Sequence, residues 1–223
     1  MGLFEKRKPY TQQSEALKRD IKALFSDYKT AINLATELLF AIADYDLIEK
    51  QCEKAHQSMP ASLFNTGHSL VFHKDFIDEL PLLLRVFVGA GLQMYGELDE
   101  DIDLIKIHTT SGKLTLTGYD DFEKSVPFLV ERIKIKMAEQ DIDFFDYVDE
   151  KRRPPLINKH LYIPCKHQNY RKQLNFDKRL AKILDCSFNI EEQVTRVELE
   201  TSLEKSGKLI SGYSIRPLIY TGH

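Results

Sequence analysis

The sequence predicts an α+β fold: an N-terminal helical layer and a central buried helix against a small, mostly antiparallel sheet, with further helices at the C-terminal end. Three observations carry this expectation. From residue 14 to about 94, apolar residues recur at helical spacing. From about 102 to 147, they alternate with polar ones. At 43% hydrophobic and 29% charged over 223 residues, the chain has enough apolar material for a sizeable core. The expected organisation is a tail at 1–13, a helical subdomain at 14–97 and a sheet-containing subdomain with basic C-terminal helices at 98–223, packed as one unit.

The helical reading runs over 14–57. Ser14 can cap a first helix, and Leu17, Ile21, Leu24, Phe25 and Tyr28 follow at helical spacing. A second helix shows a wide apolar face built from Ala31, Ile32, Leu34, Ala35, Leu38, Leu39 and Ile42. Asp44 or Asp46 can start a third. The stretch 58–69, SMPASLFNTGHS, reads as a connector, followed by a short apolar strand, SLVF, between His68 and His73. A helix over about 75–94 follows, with Pro81 in its first turn or at its start. Leu83, Val86, Phe87 and Leu92 are expected at its buried face, Arg85 at a solvent edge or paired, and Gly89 and Gly91 at a close approach to another backbone.

The period then changes. Ile102, Leu104, Ile105 and Ile107 precede a turn with Gly112, after which Leu114, Leu116 and Tyr119 alternate with threonines, a hairpin signature. Ile133, Ile135 and Met137 alternate with Arg132, Lys134 and Lys136, a strand with one basic face, and Ile142, Phe144, Phe145 and Tyr147 form a fourth strand. A helical turn is expected around 121–130, a short strand near 160–163, helices near 168–184 and 190–206, a Gly207 cap, and an extended segment from 208 to 215.

Composition excludes several classes. Cys52, Cys165 and Cys186 are three cysteines with no CxxC pair, which speaks against a disulfide framework and a thiolate zinc site. No apolar run reaches the length of a membrane span, and no apolar segment follows the basic start, so the expected setting is a reducing cytoplasm. No P-loop pattern is present, and Gly89-Ala90-Gly91 lies inside an apolar helix rather than at a strand-to-helix turn that could hold a nucleotide-like cofactor. No catalytic residue, metal site or cofactor is assigned. The seven histidines show no HxxxH on a helix.

Charge is segregated within a net −3. Residues 97–103 hold five acids and no base, and 139–150 hold six acids and no base. Residues 151–182 hold ten Lys or Arg against the single acid Asp177. Cations interleaved with aromatics can hold phosphates and stack bases. The candidate nucleic-acid contacts are Arg152, Arg153, Lys159, Lys166, Arg171, Lys172 and Arg179, with Tyr162 and Tyr170 as stacking residues. The same segment can instead dock on the acidic stretches, within the chain or on a partner. A metal-dependent phosphodiesterase, built from Asp103, Asp120, Asp121 and Glu131 with Lys134, is the enzyme alternative.

Across 14–216 the chain resembles the C-terminal region of the DNA phosphorothioation-associated methyltransferase family. The resemblance rests on LKRDIKALFSDYKTA (17–31), ATELLFA (35–41), LPLLLRVFVGAGLQMYGE (80–97), DLIKIHTTSGKLTLTGYDDFE (103–123), RIKIKMAEQDIDFFDY (132–147), PPLINKH (154–160) and LEKSGKLISGYSI (203–215). In that family a methyltransferase-like portion precedes this region. The match here begins almost directly after Met1, so the resemblance implies no methyltransferase residues. It implies a setting in bacterial DNA modification with sulfur in the backbone, or the defence attached to it. The expectation is an accessory, non-catalytic module that contacts DNA, or the protein machinery on it, with a protein–protein adaptor as the other reading.

Overall fold

The N-terminal half is built from helices that start where short polar side chains can hold free backbone amides. The structure is a computed structural model and describes residues 9–96, 98–184 and 194–218. Helices α1 (Glu15–Phe25), α2 (Tyr28–Ala41) and α3 (Tyr45–Ser58) begin after Ser14, Asp27 and Asp44. The side-chain oxygens of these three caps accept from the amides of Leu17 (3.2 Å), Thr30 (2.8 Å) and Leu47 (3.0 Å).

The sheet is an antiparallel meander of six strands in chain order: β1 (Ser62–Asn65), β2 (Ser69–His73), β3 (Ile102–His108), β4 (Lys113–Tyr119), β5 (Leu129–Lys136) and β6 (Asp141–Asp146). Helix α4 (Leu82–Tyr95) is inserted between β2 and β3. Pairing aligns Phe72, Ile105, Leu116 and Ile133 in one row, and Leu70, Ile107, Leu114 and Ile135 in the next. Both rows face α3 and α4 and form the main core with Ile48, Cys52, Leu84 and Phe87, all 0% exposed. Gly91 is what lets α4 close on the sheet: a Cβ there would meet Leu114 Cδ2 at 2.8 Å.

The C-terminal unit lies past β6. It comprises α5 (Tyr170–Ile183), α6 (Arg196–Lys205) and the hairpin β7 (Lys208–Ser211) and β8 (Ser214–Pro217). Thr195 and Glu198 form a capping box at the start of α6, and Gly207 ends it at φ +61°. This unit has its own core of Val126, Phe176, Leu180, Val194, Leu199 and Leu203. A third cluster, Leu104, Leu156 and Tyr162, joins it to the sheet. Among the described residues no helix is long and apolar enough to cross a membrane.

The architecture is α+β as expected, and several elements differ in detail. The sheet has six strands, not four, because part of the 58–69 connector is β1, which pairs with β2, and β2 pairs with β3 across the expected 97/98 boundary. The expected 75–94 helix is divided: Lys74–Glu79 is 3₁₀, Leu80 is extended as the residue before a proline prefers, and Pro81 is the cap of α4. On α4, Leu83 and Phe87 are buried, Val86 and Leu92 are half-buried, and Arg85 reaches solvent beside an exposed Leu82 and Gly89. Gly89 therefore approaches nothing, and the contact of Gly91 is a side chain, not a backbone.

Residues 121–128 hold no helix. The Asp121 side chain accepts from the Glu123 amide (2.9 Å) and Asp120 from the Phe128 amide (2.9 Å), so side chains satisfy this turn in place of a helical ladder. Lys159–Tyr162 is 3₁₀, not a strand, and 208–217 is a hairpin rather than one extended segment. Glu97, Cys186, His223 and the expected 190–193 start of the last helix lie outside the described residues.

Candidate functional site

Helix α5 is amphipathic in an unusual sense: it buries Gln173, Phe176, Asp177 and Leu180 and exposes Arg171, Lys172, Asn175, Lys178, Arg179 and Lys182. At 100° per residue the outer set spans about one third of the helix circumference. Its inner face explains why no acid interrupts that stripe. Asp177, the one acid of 151–182, is 2% exposed. It accepts from the His160 amide (3.0 Å), from His160 Nδ1 (2.7 Å) and from Gln173 Nε2 (2.7 Å). Among the described residues, no carboxylate lies within ion-pair distance of Arg171, Lys172, Lys178 or Lys182. Arg179 donates to the Asn175 and Tyr213 carbonyls.

The nine candidate contacts are thus sorted by burial. Arg171, Lys172 and Arg179 lie on the stripe, Lys166 is exposed in the turn before α5, and Tyr170 is half-buried in its first turn. Arg152 is exposed, with Asp149 at 3.6 Å. Arg153 is folded over its own loop, its Nε on the Tyr147 carbonyl (2.9 Å) and Nη1 4.0 Å from Glu150.

Lys159 and Tyr162 are corrections. Lys159 is 2% exposed, its ammonium held by the Phe122 and Lys124 carbonyls, so it cannot reach a phosphate on the surface. Tyr162 is 5% exposed and belongs to the cluster that joins the two cores, where burial pushes its phenol upward, so it offers no face to a base.

The 139–150 acidic stretch pairs with two of the candidate cations, Asp149 with Arg152 and Glu150 with Arg153, and also holds Lys136 through Asp141 and Asp143 and Arg196 through Glu150. The enzyme alternative fares differently: Asp103 accepts from the Tyr119 amide (2.9 Å), Asp120 and Asp121 hold the 121–128 turn, and Lys134 points to the open face of the sheet. Burial pushes the Asp103 and Glu131 carboxyls above their usual range. Among the described residues, no three His, Cys, Asp or Glu side chains are grouped as a cation site.

The open face of the sheet carries a second polar site. Strand register sets Lys106, Thr115 and Lys134 side by side on β3, β4 and β5, and Leu104, Thr117 and Arg132 in the next row. These residues line a cleft of about 450 Å³ with His68, His108 and Tyr119, walled on the far side by Pro155, Leu156, Ile157 and Tyr162. No Asp or Glu is among its described lining residues. The nearest acid of the first row, Asp143, pairs with Lys134 in register, but its carboxylate is bound by Lys136 at 2.8 Å.

Lys134 lies over the Phe145 ring and Arg132 over the Tyr147 ring. His108 Nε2 is 2.9 Å from Thr115 Oγ1. Burial, and then the charges of Lys106, His68, Lys134 and Lys113, lower the His108 pKa to about 4. The alternation Arg132–Lys134–Lys136 signalled a basic strand face, but the pairing that sets Lys106 beside it is a long-range fact that no local pattern carries.

No protein-family model, curated protein or solved structure matches the chain.

Proposed function

We propose that the protein is an accessory nucleic-acid-contacting module whose α5 stripe grips the phosphate backbone. The observation that carries this reading is the inward turn of Asp177, which leaves Arg171, Lys172, Lys178 and Lys182 on one exposed helix face with no carboxylate at ion-pair distance among the described residues. A helix face of uncompensated cations attracts a polyanion, because each phosphate contact releases condensed counterions. Arg179, Lys166 and the half-buried Tyr170 extend the same surface. The sequence resemblance supports a bacterial DNA-modification or defence setting, with phosphorothioated DNA as the first ligand to try. A protein-docking role has its own support in α1 and α2, where Leu24 and Phe40 are each 74% exposed.

The test is a titration of the full chain with duplex and single-stranded DNA, with and without backbone sulfur, at two salt concentrations. Affinity falls steeply with salt. Changing Arg171, Lys172, Lys178 and Lys182 together to Ala lowers the salt slope by about one unit per lost phosphate contact and leaves sequence preference unchanged. Absence of binding at low salt from a folded sample overturns the DNA reading and leaves the docking role.

A further inference from the structure

We propose that β6, the open edge of the sheet, docks an extended basic segment of a partner protein as a further antiparallel strand. It stands independently of the α5 stripe. The first ground is the unpaired backbone. Strand β6 ends the sheet and pairs on one side only, with β5. The Tyr147 amide donates to the Val130 carbonyl, and inward and outward residues alternate along an antiparallel ladder. Asp143 and Phe145 therefore turn their backbone groups to β5, and Phe144 and Asp146 turn theirs to the outside. Among the described residues, no hydrogen bond reaches the outward groups of Phe144 and Asp146. Edges blunted against pairing carry lysine, proline or a bulge, whereas β6 reads DIDFFD and pairs without a register shift.

The second ground is the apolar surface on this edge. Phe144 is 62% exposed, its ring 6.3 Å from that of Tyr95 at the end of α4, and an added strand would cover it. The third ground, charge, selects the partner. Phe144 and Asp146 share a face of the sheet, and Glu131 lies directly opposite Asp146 on β5. Burial, and then the charges of Asp101, Asp99 and Asp146, push the Glu131 carboxyl above its usual range. Among the described residues, none of these four carboxylates makes an ion pair. Lys74 is the cation beside them, and its ammonium lies on the Asp99 and Glu100 carbonyls. On the other face, Asp141 and Asp143 are already held by Lys136. A cation on the incoming strand, opposite Asp146, relieves the repulsion. A second copy would not: 139–150 hold six acids and no base, and pairing two β6 strands lays those stretches along each other. The expected segment has an apolar residue opposite Phe144 and a Lys or Arg two residues away, opposite Asp146.

The experiment uses the full chain and a dye-labelled, capped peptide, Thr-Lys-Thr-Val-Thr-Lys-Thr, whose lysines and valine share one strand face. Fluorescence anisotropy is expected to show saturable binding. Replacing both lysines by glutamate weakens it about tenfold or more, and Asp146→Lys in the protein does the same. N-methylation of the valine amide, which faces Phe144, also weakens it about tenfold or more. N-methylation of the threonine before it, whose amide points away, keeps affinity within about threefold. In NMR hydrogen exchange of the free protein, the Phe144 and Asp146 amides exchange at least about tenfold faster than that of Phe145, and the peptide slows them.

Slow exchange of the Phe144 and Asp146 amides in a free monomer shows that the chain itself covers the edge, and slow exchange in a dimer shows that a second copy does. Either result overturns the proposal. So does equal binding of the two N-methylated peptides, which reduces the contact to charge alone, or the absence of saturation from a folded sample. The peptide-side changes decide even where Asp146→Lys disturbs the fold. The Ala variant of Arg171, Lys172, Lys178 and Lys182 keeps the peptide affinity, which separates this surface from the α5 stripe whichever of them fails.

Discussion

Lys159 is held by the Phe122 carbonyl at 2.6 Å and the Lys124 carbonyl at 2.5 Å, with its ammonium over the rings of Phe122 and Tyr213. Burial lowers its pKa, and the charges of Glu123, Asp177 and Asp121 act in the other direction. With the folded-state pKa below the unfolded one, the unfolded chain binds more protons between the two values, so this group makes stability rise with pH toward the ordinary lysine range. Its value to the fold is as a donor. Lys159→Ala removes the donor from two part-buried carbonyls, and at about 1–3 kcal/mol for an unmet buried group, reduced here by partial access to water, the expected loss is about 1–3 kcal/mol in urea unfolding. A loss under about 0.5 kcal/mol, the size of an ordinary surface change, sinks the structural role. The DNA salt slope of this variant stays at the wild-type value. Sequence could not separate this lysine from its neighbours: on its short 3₁₀ turn no long helical period marks an inner face. On α5 the period does mark one, and the inward set Gln173, Phe176, Asp177 and Leu180 follows it.

At the scale of elements, anchoring differs sharply between the sheet and the first two helices. Strands β3, β4 and β5 bury a continuous apolar face, whereas α1 buries only Ile21 and α2 buries no residue. The apolar face read on α2 is real but only partly covered, since Leu34 and Leu39 remain 42% and 46% exposed. Segments with few buried contacts open at low free energy. Hydrogen exchange is therefore expected to be at least about tenfold faster for amides of 15–41 than for those of 102–135. Equal protection would mean that the exposed face of α1 and α2 is covered in solution, by a second copy or by the chain itself. Strands β3 to β6 were legible because each carries a period-2 pattern long enough to recognise. The four residues of β1, between Pro60 and Gly67, look like loop until they pair with β2, which itself pairs with β3.

In the whole molecule, two cores share one segment. The stretch between β4 and β5 gives Val126 to the C-terminal core, accepts Lys159 on its carbonyls, and continues through the Phe128–Pro155 bridge. The Leu129 amide donates to the Pro154 carbonyl (2.8 Å) and the Leu156 amide to the Pro127 carbonyl (2.7 Å), so 154–156 is stitched to the start of β5. Leu156, 8% exposed, then packs with Leu104 and Tyr162 between the cores. Neither core unfolds without exposing part of the other, which favours one cooperative transition. Urea unfolding followed by far-ultraviolet dichroism and by tyrosine fluorescence should give coincident curves. Leu156→Ala removes a buried leucine from the joint at a cost of about 2–5 kcal/mol. Because the joint and not either core is cut, the two probes should then separate, with the C-terminal unit melting first: its core is the smaller, and the sheet keeps the rows from Leu70 to Ile135 intact. Coincident curves in that variant, shifted together by the same urea concentration, would show that the hydrogen-bonded 154–156 stitch couples the cores without the leucine.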